Sequence, residues 1–306
     1  MKYMIGVDIG TTSTKSVLYD EKGQFIMKHN IGYPLHTPNV ETSEENPDEL
    51  FDAVLMTVKY VMREANIAKE DLKLISFSAQ MHSLIAMDAS NQRLTENLTW
   101  ADNRASQYAE QIKNEHNGNE IYQRTGTPIH PMSPLAKIFW MKHEQQEIYN
   151  QTATFADIKT YIFYQLFEQF VIDQSMASST GMLNLETLAW DKEALELLGI
   201  EETQLPEVVP TTHILKGMKR RYATLMGIDE NTPIVVGASD GVLSNLGVNA
   251  FKKGEVAVTI GTSGAIRTVI DKPRTDYKGR IFCYVLTENH YVIGGPVNNG
   301  GVVLRW

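Results

Sequence analysis

Asp8 and Asp240 are the two carboxylates of this chain whose neighbours suit them to phosphate chemistry. Asp8 ends an apolar stretch and is followed by Gly10, Thr11, Thr12, Ser13, Thr14 and Lys15. Small residues let backbone amides approach phosphate oxygens, and hydroxyls add donors. A carboxylate at the preceding strand end can hold magnesium through its waters. Taken alone, the segment also reads as a hairpin turn preceded by an acid. A second copy shifts the weight: Val258, Thr259, Ile260, Gly261, Thr262, Ser263 and Gly264 repeat the strand-loop-strand pattern, with Thr259 in the place of Asp8. Two such loops can grip one nucleotide's phosphates from both sides while the single acid serves the metal.

Asp240 follows the apolar run Ile234, Val235, Val236, Gly237 and precedes a helical stretch. Local pattern reads it first as a helix N-cap. Its place after a buried strand, where ligands sit in open α/β sheets, also suits it to accept a hydroxyl proton during phosphoryl transfer. Trp100, Asp102 and Arg104 combine an aromatic platform, an acid and a guanidinium within five residues, a mixture suited to polyhydroxylated ligands. Trp100 is alternatively core, and Asp102 alternatively the start of a helix from Asn103. Gln80, Met81 and His82 follow a strand end and can line the same pocket, although a lone histidine is more often a hydrogen-bonded structural group.

The elements that must hold these residues follow from periodicity. Residues 4–7, 16–19 and 24–27 predict three antiparallel strands, the last two joined by Asp20, Glu21, Lys22 and Gly23. Asn46 before Pro47, Asp48 and Glu49 predicts a helix start, with Leu50, Phe51, Val54, Leu55, Val58, Val61 and Met62 on its apolar face. Residues 72–77 predict a strand, and 85–87 resume its sheet. Helices are expected at 157–167 and 191–198, with a Ser/Thr/Gly-rich loop at 173–185. Residues 130–134, with two prolines, read as a shaped loop too rigid to start a helix, and Gly294 opens a glycine loop entering an apolar helix. This order gives an α/β fold, a mixed sheet flanked by helices. The first domain is expected at 1–248 and the start of a second at 249–306. The 251-residue offset between the two copies implies a second domain about as long as the first, yet only about 50 residues follow Gly254, so the second is expected to be cut short.

Composition narrows the partners. A net charge of -9 offers no broad basic field, so neither nucleic acid nor an acidic membrane is an expected partner. One cysteine, Cys283, excludes an internal disulfide framework and fits a reducing compartment. With no apolar run of membrane-spanning length and too short an apolar start for a signal peptide, the expected location is the cytoplasm. The eight histidines and one cysteine form no zinc-type spacing.

These motifs, in this order, resemble the FGGY carbohydrate kinases: residues 6–15, Gln80-Met81-His82, Trp100-Ala101-Asp102-Asn103-Arg104, 173–181, Gly237-Ala238-Ser239-Asp240-Gly241 and 260–264. Residues 132–144 resemble the first family signature, with His143 where an acid or amide is more usual. The resemblance implies the actin-like (ribonuclease H-like) fold of two related domains and transfer of the ATP gamma-phosphate to a sugar hydroxyl with Mg2+. It implies Asp240 as catalytic base, Asp8 as the magnesium organiser, and Gly10, Thr11, Thr12, Ser13, Lys15, Gly261, Thr262 and Ser263 as the phosphate loops. Gln80, Met81, His82, Trp100, Asp102 and Met132 match sugar-pocket positions, and Gly301 and Arg305 match places near the nucleotide. Within the family, the opening motif and residues 80–83 and 125–134 look most like the gluconokinase branch, with xylulokinase next. A sugar acid needs a cation or good donors, for which His82, Arg104 and His130 are the candidates. The expected partners are the sugar or sugar acid and ATP, with homodimerisation left open. A non-catalytic actin-like module that only binds nucleotide or sugar is the competing expectation.

Overall fold

The computed structural model describes residues 1–252, 254–260 and 264–297. The chain opens with an antiparallel meander, β1 (Tyr3–Ile9), β2 (Ser13–Asp20) and β3 (Phe25–Gly32). Ile5, Val7 and Ile9 alternate into the core, as period-two patterning requires. After β4 (Glu44–Glu45), Asn46 caps α1 (Pro47–Glu64) by accepting from the Asp48 amide at 3.0 Å, with Pro47 and the acids Asp48 and Glu49 in the first turn. All seven residues expected on its apolar face are buried. Leu50, Val54, Val58 and Val61 have no exposure, and each contributes roughly 1.5–3 kcal/mol by leaving water. Ser16 of β2 donates to the Thr57 hydroxyl at 2.8 Å and so fixes the helix against the sheet.

Next come β5 (Leu72–Ala79), β6 (Ile85–Met87), β7 (Asn97–Leu98), α2 (Ser106–Glu115), α3 (Gly118–Thr125), α4 (Pro134–Glu144) and α5 (Gln146–Gln151). They are followed by β8 (Thr154–Ala156), α6 (Ile158–Phe167), β9 (Val171–Asp173), α7 (Gln174–Ser178) and α8 (Lys192–Leu198). Then β10 (Glu207–Val209), β11 (Ile214–Leu215) and α9 (Arg220–Met226) precede β12 (Ile234–Ser239) and α10 (Asp240–Gly247). The main sheet runs β11-β12-β5-β1-β2-β3, with β12, β5 and β1 parallel and the other pairings antiparallel. The expected mixed sheet flanked by helices is therefore present.

A second, antiparallel sheet combines β13 (Val256–Ile260), β14 (Gly264–Ile270), β15 (Phe282–Thr287) and β16 (His290–Val297) in the order β13-β14-β16-β15. Its β15 edge is bonded to the first body: the Cys283 amide donates to the Gly126 carbonyl at 2.8 Å, the Val285 amide to Ser178 Oγ at 2.9 Å, and the Thr211 hydroxyl to the Leu286 carbonyl at 2.9 Å. The opposite edge, β13, exposes Val256, Val258 and Ile260.

Several local expectations give way to tertiary context. Residues 85–87 do not rejoin the main sheet but pair with β8. The polar stretch at 173–185 contains α7, because Asp173 caps it through the Met176 amide at 3.0 Å. Residues 130–134 do start a helix, since Ser133 caps α4 and Pro134 takes the first turn, where its missing N–H costs nothing. Asp102 starts no helix; α2 begins at Ser106 without a side-chain cap. Asp240 is not the cap of α10, which is Ser239, but its first helical residue. Gly294, Gly295 and Pro296 belong to β16 rather than to a loop, and the helix expected after them lies outside the described residues.

The β12–β5 ladder shifts register between Val235 and Ala238, around Gly237. Gly237 has φ of +69°, and a Cβ there would sit 1.8 Å from the Phe77 carbonyl oxygen, so only glycine fits. Gly237→Ala is expected to cost roughly 2–4 kcal/mol, read as a lowered denaturant midpoint. Gly247→Ala, where a Cβ meets nothing within 4 Å, is the control and should leave the midpoint unchanged or raised.

Candidate active site

The three parallel strands deliver their C-terminal ends to one edge of the sheet, where open α/β sheets bind ligands. Asp8 of β1 lies level with Ser78 of β5, and Ser78 with Ala238 of β12. Gln80, Met81 and His82 leave β5, and Asp240 leaves β12, just beyond that line. A cavity of about 480 Å³ opens there, lined on the first body by Met81, His82, Trp100, Met132, Asp240, Gly241 and Ser244. Across it stand Thr259, Gly264, Ala265, Arg267, Phe282, Tyr284 and Pro296 of the second sheet.

Asp240 is reached by solvent through the cavity mouth, yet protein crowds it on the other sides. That desolvation, with repulsion from Asp8, pushes its carboxyl up to about 6 against the Gly241 amide, Arg267 and Lys159, which favour the charged form. A buried ion pair holds the strand end behind it: Lys159 Nζ lies 2.6 Å from Asp173 Oδ2 and donates to the Ala238 carbonyl at 3.3 Å. Ser175 Oγ accepts from the Ser239 amide at 3.2 Å, and the two hydroxyls are 3.0 Å apart. Removing one partner of such a pair typically costs about 3–5 kcal/mol, because it strands a buried charge.

On the opposite wall, His82 Nδ1 donates to the Ser179 carbonyl at 2.8 Å, which fixes the tautomer and leaves Nε2 as an acceptor toward Tyr284 OH at 3.5 Å. Burial lowers the imidazole to about 3, so it is neutral at physiological pH. Its backbone is in the left-handed region at φ 65°, a strain that the surrounding contacts must hold. Lys137, fully buried beneath, donates to the carbonyls of His82 at 2.7 Å, Thr99 at 2.6 Å and Leu98 at 3.3 Å, and burial lowers it to about 7. Phe282 and Tyr284 stack at 4.6 Å and form an apolar wall.

A polar relay ties the first phosphate-type loop to the sugar side. Trp100 Nε1 donates to Thr11 Oγ1 at 3.0 Å, Thr11 to Gln80 Oε1 at 3.0 Å, and Gln80 Nε2 to Glu45 Oε2 at 2.7 Å. Asn97 donates to the same carboxylate oxygen at 2.8 Å. The loop itself is tight: Gly10 N–H donates to the Ser13 carbonyl at 3.1 Å, and Tyr33 OH to the Gly10 carbonyl at 2.5 Å. The amides of Thr11 and Thr12 have no partner among the described residues. Lys15 stands directly across the hairpin from Asp8. Among the described residues no group of three or more His, Cys, Asp or Glu side chains converges on a metal position.

The structure brings Met81, His82, Trp100, Met132 and Asp240 to the cavity, with Gln80 directly behind. Trp100 is 48% exposed and so is not core. Three expected ligand residues do not reach the cavity. Asp102 is fully buried, accepting from the Ser43 amide at 3.0 Å and from Arg104 Nη2 at 2.8 Å. Arg104 is spent on Asp102 and Glu44 and stacks 4.8 Å over Trp140. His130 is exposed and is not among the residues lining the cavity; it accepts from the Met132 amide at 3.2 Å. Gly261, Thr262, Ser263, Gly301 and Arg305 lie outside the described residues. Sequence reasoning missed Arg267, Tyr284 and Glu45. The first carries a usable signal, a guanidinium inside the otherwise apolar and small run Gly264-Ala265-Ile266-Arg267-Thr268-Val269-Ile270.

A carboxylate at a parallel-strand end, facing a loop hairpin on one side and a second sheet on the other, defines an α/β ligand cleft. The profile of the FGGY family of carbohydrate kinases, N-terminal domain, matches residues 3–247, and the chain belongs to that family. It is 59% identical over 304 residues to the gluconokinase of Bacillus licheniformis, covering 99% of this chain and 59% of that protein. Crystal structures of a gluconate kinase and of a ligand-bound xylulose kinase, both from Lactobacillus acidophilus, match with TM-scores of 0.96 and 0.97. Each is 43% identical and covers 100% of this chain, against 61% and 62% of its own length. The chain thus spans less than two thirds of the relatives it matches.

Glu45 is raised by burial from 4.5 to about 7, against the donors Asn97 and Gln80. Because the folded state holds this proton more tightly, Glu45 contributes stability that is complete below pH 4.5 and lost as pH rises through about 7. Glu45→Gln, which keeps an acceptor for both donors, should flatten the fall in denaturant stability between pH 5 and 8 relative to the parent. An unchanged pH slope would reject this role.

Proposed function

We propose that this chain supplies the sugar pocket and the catalytic base of an ATP-dependent carbohydrate kinase acting on gluconate. Residues 1–248 form its first domain and 249–306 the start of its second. The observation that carries the reading is Asp240, a carboxylate at a parallel-strand end, inside the cavity, with its pKa raised to about 6 by crowding. Ionised at neutral pH, it accepts the proton of the substrate hydroxyl as that oxygen attacks the gamma-phosphorus. His82 Nε2 and Tyr284 OH meet sugar hydroxyls, while Met81, Met132 and the Phe282–Tyr284 wall cover carbon faces.

The free amides of Thr11 and Thr12 suit phosphate oxygens, with Lys15 adding charge. The carboxylate of Asp8 fits Mg2+, which is held by one or two carboxylates plus phosphate rather than by a dedicated cage. When bound, the ion neutralises phosphate charge; Asp8 would hold it through water. The reading places the protein in the cytoplasm, with no nucleic acid or membrane partner. Among the described residues no helix is long and apolar enough to cross a membrane.

Xylulose is the second reading, because equally similar structures bear both names. An ADP-release assay over gluconate, xylulose, glycerol and ribulose, on this chain and on one extended to the full length of its relatives, separates them. Turnover of gluconate by the extended form is expected; activity on xylulose alone would sink the gluconate assignment. Asp240→Asn should lower kcat by about 10²–10⁴-fold while gluconate still binds. In the parent, kcat/KM should fall about tenfold per pH unit once pH drops below about 6, as Asp240 takes up its proton.

A further inference from the structure

The geometry points to Arg267 as the receptor for the carboxylate of a sugar-acid substrate, and so as the residue that separates sugar acids from neutral sugars. This rests on the proposed sugar-acid kinase reading. Among the described residues lining the cavity, Arg267 is the one side chain with a fixed positive charge. His82 is neutral, Lys137 is spent on three backbone carbonyls, and Arg104 is paired elsewhere.

The guanidinium is also aimed. Thr259 Oγ1 accepts from Nη1 at 2.6 Å, which leaves the other edge, Nε with Nη2, unused, and Nη2 lies 3.6 Å from where a Cβ on the cavity-lining Gly241 would sit. Nε is buried with no partner among the described residues, and Nη2 makes no hydrogen bond to them. That edge is the parallel pair of donors that matches a carboxylate in bidentate fashion. An unsatisfied buried donor beside an open cavity marks a place where a ligand oxygen belongs. The stem is held too: a Cβ on Gly294 would come within 3.1 Å of Arg267 Cγ, and the Arg267 carbonyl accepts from Asn245 at 3.4 Å. Asp240 lines the same cavity, so a linear substrate with an acid at one end and a hydroxyl at the other would be gripped at one end and deprotonated at the other. The repeat that puts Thr259 where the first copy has Asp8 thereby gains a use: the hydroxyl steers a cation where the acid serves a metal.

The test uses the chain extended to the full length of its relatives. Gluconate and its neutral counterpart glucitol are titrated by calorimetry against the parent, Arg267→Met and Arg267→Lys, and turnover is followed with gluconate and xylulose. Arg267→Met should weaken gluconate about 10- to 100-fold and leave the neutral compounds unchanged. Arg267→Lys, which keeps the charge but loses the fork, should fall between. Unchanged gluconate affinity in Arg267→Met overturns the assignment. So does an equal loss of kcat on gluconate and xylulose, which would put Arg267 on the transferring phosphoryl group instead. Circular dichroism checks the fold; if the methionine variant is unfolded, Arg267→Lys decides, and parental gluconate affinity in it counts against the fork. A parent that turns over xylulose but not gluconate removes the sugar-acid reading itself, an outcome distinct from any result of the variants.

Discussion

The register that locks β5 between β1 and β12 sets everything else in the cleft. Ser78 pairs with Asp8 on one side and with Ala238 on the other, so two carboxylates 232 positions apart in the chain end up at one sheet edge. Parallel pairing alone would not place them; the shift around Gly237 puts one extra residue into β12 and so sets its end back by one position relative to β5. Lys159 and Asp173 then clamp that end from below, an arrangement in which a charged pair serves position more than stability.

Low polarity does the rest of the selection. The same burial that holds His82 neutral and brings Lys137 and Glu45 both to about 7 strips fixed charge from the sugar side. What remains there is a set of oriented donors and acceptors, suited to hydroxyls, which gain nothing from a full charge. Charge enters from the other wall, on Arg267, and from the strand ends, on Asp8 and Asp240. The cleft is thus sorted by polarity before any ligand arrives.

Much of this was legible beforehand. The meander, α1 with its cap and apolar face, β12 running into α10, and the paired hairpins all follow from local periodicity and turn chemistry, which these segments obey. Asp102 and Arg104 were misplaced for a different reason: spacing reports which residue types are near one another but not which way they face. Their guanidinium and carboxylate satisfy each other, and Glu44, Trp140 and the Ser43 amide complete the pairing. Tyr284 and Glu45 reach the site through long-range packing that no local pattern records. Ser133 and Pro134 show the converse, since a proline that breaks a helix interior is well placed in its first turn.

The second sheet is rooted at its β15 edge and rests on α10, whose Val242 packs with Val269 and Val292. β15 is hydrogen-bonded to the loop at Gly126 and to Ser178, whereas Arg267 and Thr259 sit two and three strands away on β14 and β13. With the Asn245 side chain donating to the Arg267 carbonyl at 3.4 Å, changes of twist at the β15 root are magnified toward β13 only as far as α10 yields. At about 4.8 Å per strand the lever arm to β13 is about 14 Å, so roughly 5° of added twist displaces its tip by about 1 Å. That distance is large on the scale of reacting groups. The depth of the bite is therefore tied to the stiffness of an antiparallel sheet, the firmness of its root at β15 and the seat that α10 gives it.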